Sequence, residues 1–377
     1  MQACCTSDYA RIIMPLNFGR DVRVQPYFGY RNSERLLISA RALRADKPNF
    51  ELSGRLQAIR TMLAQFASRE VADLPVQLEL ERPDGKRFTH EAVTNAEGFA
   101  EFDIALDGQW SMPSESAWEI AALRWDNAKG SQKTHAHILA PGTQADLAII
   151  SDIDDTLIET GITGSFRAIA RNWKRVVAQL PEERLAVPGV DIFYTALSGS
   201  STKDDGISTA GARIDAPKRP FFYVSSSPWN LFSYLVAFKR MRGLPLGPIK
   251  LRDWGFNRST LGHSSHGDHK TSAIAEILAH FPKLQFALVG DDTQKDLIAF
   301  GKIVAEHPDR VKAVFIRKAS KDAFTAEEKA AHDAIHAADV AFWMGSDYST
   351  GQEFLAHAGL TGTTPAAKIV RTIEQSG

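Results

Sequence analysis

The first 145 residues alternate. In "DVRVQPYFGYRN", "ERLLISARAL", "PVQLELERPDGKRFTHEAVTN", "GFAEFDIAL", "AWEIAALRW" and "THAHILA", apolar positions recur every second residue between polar ones. That is the period of strands with one buried face. Asp84-Gly85 and Glu97-Gly98 mark turns. Short antiparallel strands joined by hairpins predict a mostly β, sandwich-like domain over residues 1–145. One stretch changes period. In "LSGRLQAIRTMLAQFASREVA", Leu56, Ile59, Leu63 and Phe66 return at helical spacing. This predicts a crossover helix closing one end of the sandwich. Arg55, Arg60 and Arg69 around it leave a membrane- or partner-facing helix as the rival reading.

After "APGTQ" (140–144) continuous apolar runs replace alternation: "LAII" (147–150), "FFYV" (221–224), "FALVG" (286–290), "VKAVFI" (311–316) and "VAFW" (340–343). Helical patterns start near Ser165, Pro228, Thr271, Thr293 and Thr325. Apolar strands alternating with helices predict a parallel sheet covered on both faces, a three-layer α/β domain over residues 146–377. The small, polar stretch "SGSSTKDDGISTAGARIDAPKR" (198–219) reads as a loop. Only one or two helices fit between the first two strands, so no large cap is expected.

Composition narrows the classes. The chain has 377 residues and a formal net charge of -1, enough for two cores and without a global field to recruit nucleic acid or an anionic membrane. No run is long enough for a transmembrane helix, and the first residues make a poor signal peptide. The two cysteines, Cys4 and Cys5, are neighbours. They offer no disulfide framework and fit a reducing, cytoplasmic setting.

The chemistry gathers at strand ends, where open α/β sheets bind ligands. The first strand runs into Asp152-Ile153-Asp154-Asp155-Thr156, the second into Ser225-Ser226-Ser227, and the third into Gly290-Asp291-Asp292, with Asp296 five residues past Asp291. Lys270 opens the helix before the third strand. Each feature has a plain structural explanation. Asp155 and Thr156 can cap a turn, and Ser227-Pro228 reads as an N-cap and first helical position. Asp296 suits a helix start, Arg252 and Asp253 can simply pair, and a lone lysine is usually solvated. The ordered set is far more specific than any one member.

That set resembles the haloacid dehalogenase (HAD) phosphatase superfamily, whose nucleophile motif D-x-D-x-[TV] is followed by a strand-terminal Ser/Thr, a Lys and an acidic motif. "SDIDDTLIETGIT", "FFYVSSSPWNLFSYL", "LPLGPIKLRDWG", "HKTSAIAEIL" and "FALVGDDTQKDLIAFGKIVAEHPDRVKAVFIR" are similar to actin-patch-type phosphatidate phosphatases and their bacterial relatives. The likeness is dense over about 146–318. It implies a HAD-like Rossmannoid fold and a lipid phosphate, phosphatidate, as substrate at a membrane surface. One departure is Asp292-Thr293, where the family would have Ser-Gly.

The residues support the same chemistry. Phosphoryl transfer needs a nucleophile, a proton donor and charge neutralisation. Asp152 is the expected nucleophile and Asp154 the acid and base. Mg²⁺ would relieve the crowded carboxylates, with Asp152, Asp154 (through its backbone carbonyl), Asp291 and Asp292 as ligands and Asp296 behind them. Ser225, Ser226 and Lys270 would hold the phosphoryl oxygens. His263, His266 and His269 in "HSSHGDHK" offer a competing zinc reading, without a nearby cysteine to complete it. Two functional rivals remain at this stage. One is a phosphatase of soluble esters or phosphoproteins. The other is a docking module in front of a degenerate phosphatase, with the partner of residues 1–145 unidentified.

Overall fold

The computed structural model describes residues 21–44, 69–108, 110–153, 187, 189–199, 213–252, 266–293, 295–320 and 322–360. The crossover helix expected around Leu56–Phe66, the helix near Ser165, Asp154 and His263 lie outside them.

The front half is β-rich, as its alternation predicts. Its strands are β1 (Val22–Pro26), β2 (Gly29–Arg31), β3 (Arg35–Arg44), β4 (Arg69–Glu70), β5 (Pro75–Glu81), β6 (Arg87–Val93), β7 (Phe99–Ala105), β8 (Ala117–Asn127) and β9 (Gly130–Ala140). The main pairing path is β1-β3-β2-β9-β8-β5-β6. Leu36, Ile38, Val76, Leu78, Leu80, Phe102, Ile104, Leu123 and Ile138 form its core. The Asp84-Gly85 turn closes a true hairpin, β5 against β6. The Glu97-Gly98 turn does not. It delivers β7 to β3 instead, because Asn95 closes a tight turn by accepting from the Glu97 and Phe99 N–H groups, and the strand beyond aligns with β3 from Arg35 to Arg41.

The back half holds a six-stranded parallel sheet. Its strands are β10 (Leu147–Asp152), β12 (Phe221–Pro228), β13 (Ile249–Arg252), β14 (Gln285–Asp291), β15 (Val311–Arg317) and β16 (Ala341–Gly345), in the order β13-β12-β10-β14-β15-β16. The helices are α1 (Val190–Ser198), α2 (Phe232–Met241), α3 (His266–His280), α4 (Asp296–Glu306), α5 (Ala326–Ala337) and α6 (Tyr348–His357). Two apolar clusters use alternate side chains of the same strands, Ile149 and Val289 in one and Ile150 and Leu288 in the other. Both faces are therefore covered, which explains the unbroken apolar runs.

Three sequence expectations need correction. Ser227-Pro228 does not start a helix; both still belong to β12, and a 3₁₀ turn, Trp229–Leu231, intervenes before α2. The helix expected from Thr293 begins at Asp296, because Lys295 has a left-handed φ of 64. Within the expected 198–219 loop, Arg213–Asp215 forms β11, antiparallel to β8 of the front sheet. Glu119 on β8 is the anchor. Buried, it accepts hydrogen bonds from Arg31 Nε at 2.6 Å and from Arg213 Nη2 at 2.9 Å. A buried carboxylate is tolerable when such charge-assisted bonds satisfy it.

The two halves share their cores. Tyr27 and Phe99 belong to one sheet-face cluster, and Tyr30, Trp118 and Leu139 to the other. Asn32 Nδ2 donates to the His280 carbonyl at 2.6 Å, and Tyr30 stacks edge-on against the His280 ring at 4.8 Å. Burial, with help from Arg35 and Lys250, pushes the His280 imidazole down to about 4. Its unfolded value is about 6.5. Between those values the unfolded chain binds a proton that the folded chain refuses, so stability falls as pH drops from about 6.5 toward 4. His280→Phe should flatten this part of the melting profile. Equal slopes for wild type and variant between pH 7 and 5 would refute the assignment.

Candidate active site

Register alone brings the strand ends together. In the sheet Asp152 pairs with Val224 of β12, and Ser151 with Val289 of β14. Asp152, Ser225 and Asp291 thus emerge side by side at the carboxyl edge of three adjacent parallel strands. All three are buried.

The carboxylates of Asp152, Asp291 and Asp296 approach within 4.8 Å of one another. Lys270, 1% exposed, is the fifth residue of α3 rather than its opening one, because the helix already begins at His266, and its side chain enters this group. Its Nζ lies 2.9 Å from Asp152 Oδ1 and donates a very short hydrogen bond to Asp296 Oδ1. Burial alone would push the ammonium down, but Asp152, Asp296 and Asp291 together outweigh it and hold Lys270 above its ordinary value. Asp291 is pushed up to about 7, first by burial and then by the Asp296 charge, despite Lys270 and two donors from Thr293. Thr293 donates through its N–H at 2.6 Å and its hydroxyl at 2.5 Å, both to Asp291 Oδ1. The residue that departs from the family pattern therefore orients an aspartate.

Asp292 does not join the group. Its Oδ1 accepts from the Ala319 and Ser320 N–H groups at 2.7 and 3.0 Å, and its Oδ2 from the Ser320 hydroxyl at 2.7 Å. It caps the chain leaving β15. Asp296, expected behind the cation, lies in the group itself and also accepts the Asp291 N–H at 3.1 Å. Ser225 Oγ accepts from the Ser227 N–H at 3.0 Å and shapes the bend where β12 slips register against β13. Ser226, also buried, is next to it. His266 opens α3 and His269 immediately precedes Lys270; among the described residues His269 belongs to no group of three potential metal ligands.

Sequence reasoning missed several supports. Ser151 Oγ donates to the Asp152 carbonyl at 2.6 Å and meets the Tyr194 hydroxyl at 2.7 Å. Nothing in the apolar run before Asp152 marks Ser151 as special. Trp229, just past the serines, packs on Tyr27 at 4.4 Å and Phe99 at 5.5 Å, and Arg41 Nη1 donates to Asn230 Oδ1 at 3.1 Å. The β-rich half thus buttresses the segment following Ser225–Ser227.

Gly290 is the other missed support. A Cβ there would lie 2.6 Å from Asp296 Oδ2 and 2.7 Å from its Cβ. Gly290→Ala must displace Asp296, and a displacement near 1 Å at a reacting site can cost about 10²-fold. A loss of about that size in phosphate release, with a cooperative melt retained, is expected; full activity would show that Asp296 need not sit there.

Residues 147–318 match the family described as "Phosphatidate phosphatase APP1, catalytic domain". The chain is 33% identical over 171 residues to Phosphatidate phosphatase APP1 of Saccharomyces cerevisiae, which covers 45% of this chain and 26% of that protein. It is 20% identical over 231 residues to the uncharacterized protein C29B5.04c of Schizosaccharomyces pombe, covering 61% of this chain and 34% of the relative. The matched region is thus well under half the length of either relative. Among solved structures, PilB minor pilin from Streptococcus sanguinis has 10% identity, 81% and 94% coverage of the two chains, and a TM-score of 0.27, a likeness that carries no argument.

Proposed function

We propose that this chain, whose residues 147–318 match the APP1-type phosphatidate phosphatase catalytic-domain family, is a Mg²⁺-dependent phosphomonoesterase that converts phosphatidate to diacylglycerol and phosphate. The observation that carries the reading is the convergence of Asp152, Lys270, Asp291 and Asp296 at one sheet edge. The order of strands and the Asp152 position suit a HAD-like catalytic domain spanning 146–377, with residues 1–145 as a sandwich-like front domain.

Asp152 acts as the nucleophile. Its carboxylate oxygen bonds to phosphorus as the bond from phosphorus to the glyceryl oxygen breaks. Asp154, assigned from its place in the sequence, gives that oxygen a proton. Asp154 then takes a proton from water, whose oxygen attacks phosphorus, freeing Asp152 and inorganic phosphate. Lys270 and Ser225, with Ser226, hold phosphoryl oxygens. A divalent cation fits the donors: three buried carboxylates form a hard-oxygen set, and Asp291 is pushed up to about 7 by burial and by Asp296. Asp152, Asp291 and the Asp154 carbonyl would hold Mg²⁺, while Asp292 is committed to Ala319 and Ser320. When bound, Mg²⁺ supplies neutralisation of phosphoryl charge.

Among the described residues no helix is long and apolar enough to cross a membrane. Phosphatidate, being a lipid, would be met at a membrane surface. The test is phosphate release from phosphatidate in mixed micelles against a water-soluble phosphate ester, each with Mg²⁺ and with excess chelator. Faster release from phosphatidate, lost in chelator, is expected. Release from the soluble ester alone would overturn the lipid assignment, and full turnover in chelator would overturn the cation.

A further inference from the structure

Helix α5 carries a second set of ligand atoms, remote in sequence from the strand-end aspartates. His332 and His336 are one turn apart, and their Nε2 atoms lie 3.1 Å from each other. An i, i+4 pair shares one helix face. We propose that these two imidazoles form a chelating site for a borderline d-block cation of the Zn²⁺ class, independent of the proposed phosphatase centre.

The spacing suits a metal. With a metal–nitrogen bond of about 2.0–2.1 Å, two ligands at right angles would place their nitrogens about 2.9 Å apart, and two at a tetrahedral angle about 3.4 Å. The observed separation falls between these. Imidazole favours Zn²⁺, Ni²⁺ and Cu²⁺, whereas Mg²⁺ favours oxygen.

The rings are also held in place. Both pack against Phe342 of β16, with centroids 5.1 Å away for His332 and 5.5 Å for His336, and His332 further meets Phe324 at 5.8 Å. Asp333 Oδ1 contacts His332 Nδ1 at 3.4 Å. A carboxylate there keeps the proton on Nδ1 and leaves the Nε2 lone pair for a cation, the arrangement that metal-bound histidines commonly use. In the metal-free pair His336 Nε2–H can donate to His332 Nε2. Binding then requires only that the His336 proton move to its Nδ1. His336 is exposed and His332 half-buried, so an ion can enter and water can fill its remaining positions. The helix itself is fixed by a capping box between Thr325 and Glu328, which keeps the one-turn spacing.

Calorimetric titration of the full chain with Zn²⁺ in saturating Mg²⁺ tests the site. Replacing an outer partner of a ligating histidine typically weakens binding about 10–100-fold. His332→Ala and His336→Ala, which remove a ligand outright, should each weaken one Zn²⁺ event at least tenfold. The double variant should be no worse than either single one, because a chelate is lost once. Asp333→Asn should weaken the same event while both histidines remain. His336→Gln, which keeps bulk on an exposed position, guards against a folding effect. Zn²⁺ binding unchanged in His336→Ala and His336→Gln would mean that the pair merely shares a proton, and losses that add in the double variant would mean that the two rings bind separately; either result would overturn the site.

Discussion

Asp152→Asn is expected to lower phosphate release by on the order of 10⁴-fold or more, and yet to melt at the same or a higher temperature than wild type in chelator. Asparagine keeps the shape of the side chain and presents an amide oxygen to Lys270, whose Nζ lies 2.9 Å from Asp152 Oδ1. What disappears is the nucleophile and one negative charge. Among the described residues three carboxylates face a single ammonium here, and like charges at such range disfavour joint ionisation. Mg²⁺ should raise the wild-type melting temperature more than the variant's, since a ligand stabilises according to its affinity for the folded state. A variant that melts well below wild type without metal would make Asp152 a structural strand-end residue and remove the centre of the phosphatase reading.

How much of this site could be read from sequence depends on the kind of evidence each residue leaves. Asp152, Ser225 and Asp291 were legible because each follows an apolar run, and parallel register then aligns strand ends without further information. Lys270 was legible only as a member of an ordered set, since nothing local separates a buried lysine from a solvated one. Asp292 and Asp296 were harder. Both follow Asp291 closely, but the left-handed turn at Lys295 brings Asp296 back to Lys270, while Asp292 meets Ala319 and Ser320 from the next strand's exit. Such choices are made by tertiary contacts. The same holds for β11, whose three residues join the front sheet because Glu119 supplies an anchor far away in the chain. The junction of the halves was hidden for a related reason. Tyr27, Phe99 and Trp118 look like ordinary inward strand residues, and alternation cannot say whether "inward" means their own sheet or the neighbouring α/β core.

Lys270→Met should do the reverse of Asp152→Asn to stability while also removing activity. Lys270, Asp152 and Asp296 have side chains at most 2% exposed. Removing the ammonium strands carboxylates in a buried place, and breaking a buried pair from one side typically costs about 3–5 kcal/mol. The loss should be partly recovered by Asp296→Asn in the same chain, because that second change deletes one of the stranded charges and the two sites are in contact. It should also depend on pH. Asp291 is already pushed up to about 7 with Lys270 present, and Lys270 is one of the influences lowering it. Without Lys270 its folded value rises further above the unfolded one. A carboxyl group raised in this way contributes stability in acid and loses it as pH rises. The gap between wild type and Lys270→Met, measured by urea or thermal unfolding in chelator, should therefore be small near pH 5 and widen through neutrality. A constant gap, or a Lys270→Met protein as stable as wild type at pH 8, would show that the carboxylates do not rely on this lysine. The two variants would then fail to differ in sign, and the charge balance argued for the site would be wrong.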